Sequence, residues 1–168
     1  MGKIKKLDEV AKIVKSLRQE GQKVGLITGC FDILHIGHIE LFRFAKKHVD
    51  VLVVGLENDQ SIKITKGKNR PIHKLSQRAE TLSDLSTIDF IFPIETIIRF
   101  NNPDTAGGEY RKIYKKIRPN FIISNDKADK YWRQKQSDAA GVGAKLILDE
   151  KRKTSSTTRI AQKLKIEN

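Results

Sequence analysis

A chain of 168 residues is the size of one domain with one substantial core, so no separate second domain is expected. The formal net charge of +13, from 33 basic and 20 acidic residues with a sequence pI near 9.9, suits an anionic partner, although lysine-rich helix faces give the same balance without one. The single cysteine, Cys30, excludes an internal disulfide and a cysteine-cluster metal site, and no apolar segment resembles a signal peptide or a membrane span, so a soluble cytoplasmic protein is expected.

In chain order, Leu7, Val10, Ile13, Val14 and Leu17 recur at helical spacing and predict an amphipathic helix over about residues 6–20, ended by Gly21. Val24, Leu26 and Ile27 open a strand over about 23–29, and Leu41, Phe42 and Ala45 carry a helix over about 37–48. The run from Asp50 to Leu56 is continuously apolar after its first residue, which marks a central parallel strand covered on both faces. From Glu57 to Leu75 the periodicity fades and Gly67, Pro71 and several basic residues appear, predicting a long loop with one helical turn at most; such loops often serve function. Ser76 is the expected N-cap of a helix reaching about Leu85, with Glu80 near its first turn. Phe90 to Ile94 reads as a third strand, and a helix with Tyr110, Ile113, Tyr114 and Ile117 stops at Pro119. Phe121 to Ser124 is a fourth strand, about 128–141 a polar helix, Ala144 to Leu148 a fifth strand, and a last helix begins within Thr154 to Thr158 and carries Ile160, Ala161 and Leu164. No internal repeat or low-complexity tract is present.

This alternation implies right-handed crossovers and a Rossmann-like, doubly wound α/β fold: a five-stranded parallel sheet with helices on both faces, in one domain over residues 1–168 with the N-terminal helix packed on it. Ligands of such sheets bind beyond the carboxyl ends of the strands, at the switch point of strand order. Three polar clusters leave strands there: the stretch 28–38, Asn58 with Asp59, and Asn125 with Asp126. The first reads Thr-Gly-Cys-Phe-Asp-Ile-Leu-His-Ile-Gly-His, passing from strand through a glycine-containing turn to a helix start. That junction gathers backbone N–H groups and the positive end of a helix dipole, which favour phosphate. His35 and His38, three residues apart, project from the first helical turn towards such an anion.

Thr28 to Asp32 followed by His35-Ile36-Gly37-His38 resembles the signature of the cytidylyltransferase-like nucleotidyltransferases, whose second half is the HIGH motif. Asn58-Asp59-Gln60-Ser61-Ile62, Lys66-Gly67-Lys68-Asn69-Arg70-Pro71-Ile72, Gln77-Arg78-Ala79-Glu80, Arg118-Pro119-Asn120 and Ser156-Thr157-Thr158-Arg159-Ile160 resemble, in order and spacing, the nucleotidyltransferase domain of bifunctional ADP-heptose synthases. Two stretches depart from that pattern: Ser124-Asn125-Asp126-Lys127 after the fourth strand, and residues 96–110 with Asn101-Asn102-Pro103-Asp104. Glycerol-3-phosphate and ethanolamine-phosphate cytidylyltransferases share the frame and stay as alternatives, as do an adenylyltransferase making a dinucleotide cofactor and a basic nucleic-acid-binding module.

The resemblance implies transfer of a nucleotidyl group from ATP or CTP to a small phosphorylated acceptor, by positioning and charge stabilisation without a protein nucleophile. It makes His35 and His38 hydrogen-bond donors to the triphosphate and Lys66 the cation between acceptor phosphate and α-phosphate. Thr28, Gly29, Phe31 and Gly37 form the phosphate turn, the glycines because a Cβ would obstruct close approach. Ser156, Thr157, Thr158 and Arg159 would hold the β- and γ-phosphates, Asp126 would orient ribose or base, and Asp32, Arg70 and Arg78 would meet the acceptor. Mg²⁺ is expected with the triphosphate, and no protein-only metal site is visible. No membrane and no nucleic-acid partner is expected, since no zinc spacing, aromatic RNA-binding signature or recognition helix accompanies the charge; a homodimer stays open. Simpler roles compete: Asp32 as a turn cap, Lys66 as one solvated charge beside Lys63 and Lys68, Ser155 to Thr158 as an N-cap cluster, and His48 and His73 as surface residues. Tyr131 and Trp132 read as packing residues, and Cys30 as a small strand-end residue.

Overall fold

The computed structural model describes residues 3–99, 103–151 and 155–163, the side chains of Lys3, residues 103–107 and Thr158 excepted. Thr154, Leu164, Asn101 and Asn102 therefore lie outside the described residues. In chain order the elements are β1 (Lys3–Ile4), α1 (Leu7–Gln19), β2 (Val24–Gly29), α2 (Ile36–Lys46), β3 (Val51–Glu57), α3 (Asp59–Lys66) and α4 (Leu75–Ser83). They continue with β4 (Phe90–Ile94), α5 (Pro103–Ile117), β5 (Phe121–Ser124), α6 (Trp132–Ala140), β6 (Lys145–Leu148) and α7 (Thr157–Lys163).

One sheet in the order β1-β4-β3-β2-β5-β6 holds all the strands in parallel. The five expected strands form its body, and the two-residue β1 extends it, with Lys3 opposite Phe90 and Ile4 opposite Ile91. Two residues are too few to show an alternating pattern, so β1 leaves no signal in the sequence. The chain lays β2, β3 and β4 side by side in one direction, then returns to place β5 on the other flank of β2. The switch point thus lies between β2 and β5.

Alternate residues feed two cores. Val24, Leu26, Val51 and Val53 face Val10 and Val14 of α1 and Tyr114 and Ile117 of α5. Ile27, Leu52, Val54, Leu56 and Ile91 face Leu41 and Phe42 of α2 and Leu82 of α4. Every residue of β3 is buried, as a strand covered on both faces requires. Each large apolar side chain so buried stabilises the fold by about 1.5–3 kcal/mol. Gly55 has a packing reason: a Cβ there would stand 2.7 Å from Cζ of Phe92, whose ring lies across the strand. Among the described residues no helix is long and apolar enough to cross a membrane.

Three boundaries differ from expectation. The long loop after Glu57 contains an eight-residue helix, α3, because Asn58 caps it: its Oδ1 accepts from the Ser61 amide at 2.8 Å. Helix α4 starts at Leu75, so Ser76 lies inside its first turn, and Gln77 Oε1 accepts from the Lys74 amide at 3.0 Å. Helix α6 starts at Trp132 rather than near 128, since Asn125 O takes the Asp129 amide at 2.9 Å and Asp129 Oδ1 takes the Tyr131 amide at 2.9 Å, holding turns instead.

Candidate active site

Strand β2 ends at Gly29, and the chain turns through Phe31, at φ 47°, before α2 begins at Ile36 with His35 in the N-cap position. The rings of His35 and His38 stack with centroids 3.8 Å apart and planes inclined by 23°. Phe31 supports them from beneath: it meets His38 edge-on at 5.1 Å and Phe42 at 5.2 Å, and is itself buried. Gly29 is small because of that ring, since a Cβ there would lie 3.0 Å from Phe31 Cε2. Gly37 is buried in the first turn of α2.

Two arginines fix this turn from behind. Asp32, with its side chain 1 % exposed, accepts from Arg70 Nε at 2.7 Å and pairs with Arg70 Nη2 at 2.6 Å. It also accepts from the amides of Ile72 and His73, each at 2.9 Å, while His73 Nδ1 lies 2.9 Å from Asp32 O. Burial opposes the charge on Asp32, but the His73 and Ile72 amides and Arg70 outweigh it and hold the carboxyl below its ordinary value. Arg78 donates through Nη1 to Cys30 O, through Nη2 to Glu57 O and Asp59 Oδ1, both at 2.8 Å, and through Nε to His73 O at 3.1 Å. A guanidinium removed from water must have its donors used, and these tie the ends of β2 and β3 to the start of α4. Arg70 and Arg78, expected to meet the acceptor, are therefore turned inward as braces, and of the three acceptor candidates only Asp32 lines the cavity described next. His73 is exposed, as expected, but its amide and ring hold Asp32.

The cavity, of about 780 Å³, opens at the carboxyl ends of the strands around the β2/β5 switch point. Thr28, Gly29, Phe31, Asp32 and His38 form one wall, with His35 stacked behind His38. Lys66, the exposed last residue of α3, stands on the rim and is followed by Gly67 at φ 100°, which ends the helix. Thr157 also lines the cavity and donates to Ile33 O at 3.3 Å, joining the start of α7 to the phosphate turn. Ser156 and Arg159 do not line it: Ser156 Oγ caps α7 by accepting from the Arg159 amide at 3.2 Å, and Arg159 is exposed. The side chain of Thr158 lies outside the described residues. Asp126 likewise stands outside the lining, with Oδ2 2.8 Å from Lys127 Nζ.

Several lining groups escaped the sequence reading. Buried Glu57 accepts from Cys30 Sγ at 3.0 Å and from the Tyr110 hydroxyl at 2.7 Å. Burial, then the neighbouring Glu57 charge, pushes both the Cys30 thiol and the Tyr110 phenol up, so both stay protonated as donors at neutral pH. On the α6 side, Asp129 accepts from Ser124 Oγ at 2.7 Å and pairs with Lys135 at 2.7 Å. Burial disfavours both charges of that pair, but Lys135 with the Ser124 hydroxyl and the Tyr131 amide holds Asp129 below its ordinary value, and Asp129 with Tyr114 and Glu57 holds Lys135 above its own. Asp138 takes Gln134 Nε2 at 3.0 Å and lies 3.4 Å from Arg111 Nε. Glu57 was hidden because the apolar run ends at Leu56 and the sequence places Glu57 at the start of the long loop, whereas β3 continues through it and buries it. Asp129 and Lys135 were hidden because a turn residue and a helix residue six positions apart match no helical spacing.

The cytidylyltransferase-like family model matches residues 26–163. The bifunctional protein HldE of Sulfurimonas denitrificans is 41% identical over 114 residues, covering 64% of this chain and 24% of the relative. The bifunctional protein HldE of Desulfatibacillum aliphaticivorans is 31% identical over 170 residues, covering 97% of this chain and 31% of the relative. The chain thus spans about a quarter to a third of the length of these relatives. Among solved structures, a lipopolysaccharide core biosynthesis protein from Thermoplasma volcanium matches with a TM-score of 0.60 at 25% identity, over 79% of this chain and 100% of that one. A pantoate-beta-alanine ligase from Francisella tularensis, at 19% identity and a TM-score of 0.64 over 98% of this chain and 77% of the other, shares the fold.

Proposed function

The chain belongs to the cytidylyltransferase-like family, and from that premise we propose that it transfers a nucleoside monophosphate from ATP or CTP to the phosphate of a small sugar or polyol phosphate, releasing pyrophosphate. The observation that carries this reading is the stacked His35–His38 pair at the start of α2, opening on a cavity at the switch point with Lys66 across the rim. An oxygen of the acceptor phosphate attacks the α-phosphorus in line, the bond to pyrophosphate breaks, and negative charge grows on the nonbridging and leaving oxygens. His38, steadied by Phe31 and His35, donates to those oxygens beside the positive end of α2, and Lys66 draws acceptor and α-phosphate together. Thr157, its hydroxyl donated to Ile33 O, holds the start of α7 beside the phosphate turn. Among the described residues no group of three or more His, Cys, Asp or Glu is placed to hold a metal, so magnesium belongs to this reading as part of the incoming triphosphate complex.

Asp32, Glu57, Asp129 and Asp138 line the cavity, and each accepts from a protein donor. The likeness to a solved lipopolysaccharide core biosynthesis protein supports a sugar phosphate as the acceptor. The test is a pyrophosphate-release screen crossing ATP and CTP with heptose, glycerol, ethanolamine and nucleotide phosphates. Release is expected only with triphosphate, Mg²⁺ and acceptor together, fastest with a sugar or polyol phosphate; a preference for ethanolamine phosphate or a mononucleotide would overturn the acceptor assignment. His35→Ala and His38→Ala should each lower kcat by about 10²-fold, and normal turnover in both would remove the histidines from the mechanism.

A further inference from the structure

A second cavity, of about 700 Å³, opens along α1 beside the end of α5. Lys12, Lys15 and Arg18 of α1 and Lys116 and Arg118 at the end of α5 line it, against one carboxylate, Asp8. Asn120, also in its wall, accepts from the Val24 amide at 2.9 Å, which places the groove at the amino-terminal edge of the sheet, where β2 and β5 begin. The candidate active site occupies the opposite edge.

Local needs account for part of this charge. Asp8 is paired with Lys116, which holds its carboxyl below the ordinary value. Arg18 Nη1 caps the end of α5 by donating to Arg118 O at 2.6 Å. The carboxyl ends of α1 and α5 together contribute about one unit of negative charge, roughly half each. Five cations set against one carboxylate and these two helix ends still leave roughly three positive charges uncompensated. Lys12, Lys15 and the Arg118 side chain are exposed and make no hydrogen bond or close ion pair among the described residues, although the Lys12 charge also helps to hold the Asp8 carboxyl low, so the excess sits on groups that can turn towards a ligand.

The shape and chemistry limit the occupant. The volume falls within the range of about 300–1,000 Å³ usual for small-molecule clefts. The lining holds no aromatic ring on which a base could stack, and its apolar contribution is Ala11 and Ile117. The cations come from two elements, Lys12, Lys15 and Arg18 along α1 and Lys116 and Arg118 at the end of α5, and they line one cavity. We propose that this groove is a second anion site that binds a compact oligophosphate, held by Lys12, Lys15 and Arg118. The proposal is independent of the nucleotidyl-transfer reading, because it uses none of that site's residues.

Calorimetric titration of the whole chain with sodium tripolyphosphate tests it. In Lys12→Gln/Lys15→Gln, a component of binding should weaken tenfold or more, while His38→Ala keeps it. Asp8→Asn removes the groove's carboxylate and should tighten the same component several-fold, a gain that general damage to the fold would not produce. The component should also weaken as salt rises from 50 to 300 mM, as charge-led binding does. Unchanged affinity in the lysine variant, or no tightening in Asp8→Asn, would overturn the proposal. So would a lysine-variant loss seen with a short DNA duplex and not with tripolyphosphate, which would assign the groove to nucleic acid.

Discussion

Asp32 commits its acceptor capacity inside the fold, to Arg70 and to the amides of Ile72 and His73, with both charged side chains almost wholly withdrawn from water. Breaking such a pair from one side leaves a buried charge uncompensated, so Asp32→Asn or Arg70→Met should cost about 3–5 kcal/mol in urea unfolding, whereas the double replacement Asp32→Leu/Arg70→Met should cost less than either alone. If the double variant were the least stable, the pair would be stabilising in itself and not merely satisfied. The Asp129–Lys135 pair makes a prediction in pH. Asp129 is held low, so its contribution is complete above the unfolded value of about 3.9 and is lost as pH falls through the folded value. Lys135 is held high, so its contribution is complete below about 10.4 and is lost as pH rises through the folded value. The stability gap between the protein and Asp129→Asn should therefore be widest between these limits and close on acidification below about pH 4, as followed by thermal melts. The histidine pair and Lys66 were legible as residues because type and spacing alone mark them. Glu57, Asp129 and Lys135 were not, because their meaning lies in partners brought by other elements.

Asn58 shows how one side chain can define an element. Its Oδ1 caps α3, while Nδ2 donates to the carbonyls of Ile94, Glu95 and Thr96 at 3.0, 3.2 and 2.9 Å, so helix α3 and the exit of β4 share one anchor. Asn58→Ala should cost at least about 1 kcal/mol from the cap alone and should loosen both segments together. Hydrogen exchange would read this as faster exchange at Ser61 and Ile98, whose amide donates to Ser61 Oγ at 2.8 Å; acceleration in α3 alone would show that the two are uncoupled. The same anchor explains why α3 was illegible. Its apolar content is Ile62, buried, and Ile64, 43 % exposed, too little for a periodic signal, and the helix is specified by its cap and by contacts with residues 94–98 far along the chain. By contrast α1 and the apolar body of β3 were legible, since α1 repeats its pattern over more than two turns and Val51 to Leu56 are uniformly buried.

At the scale of the molecule, the parallel direction of the strands follows from the alternation of elements, while their order, and the position of β5 above all, does not: periodicity names strands but not their neighbours. That neighbour relation sets the site, since the cavity exists only where β2 parts from β5. It also governs how the chain is made. β2 pairs with β3 soon after synthesis, yet the contact that closes its other flank, Val24 with Asn120, spans 96 residues. At roughly 5–20 residues per second, the ribosome needs about 5–20 s to supply it. During that interval the strand destined for the middle of the sheet is an open, uncharged edge, Val24 to Gly29, of the kind that recruits other chains. A chain ending at residue 118 is expected to associate at micromolar concentration in sedimentation; a stable monomer would show that α1 alone covers the edge. The hazard in making this protein is thus fixed by the order of its strands in time.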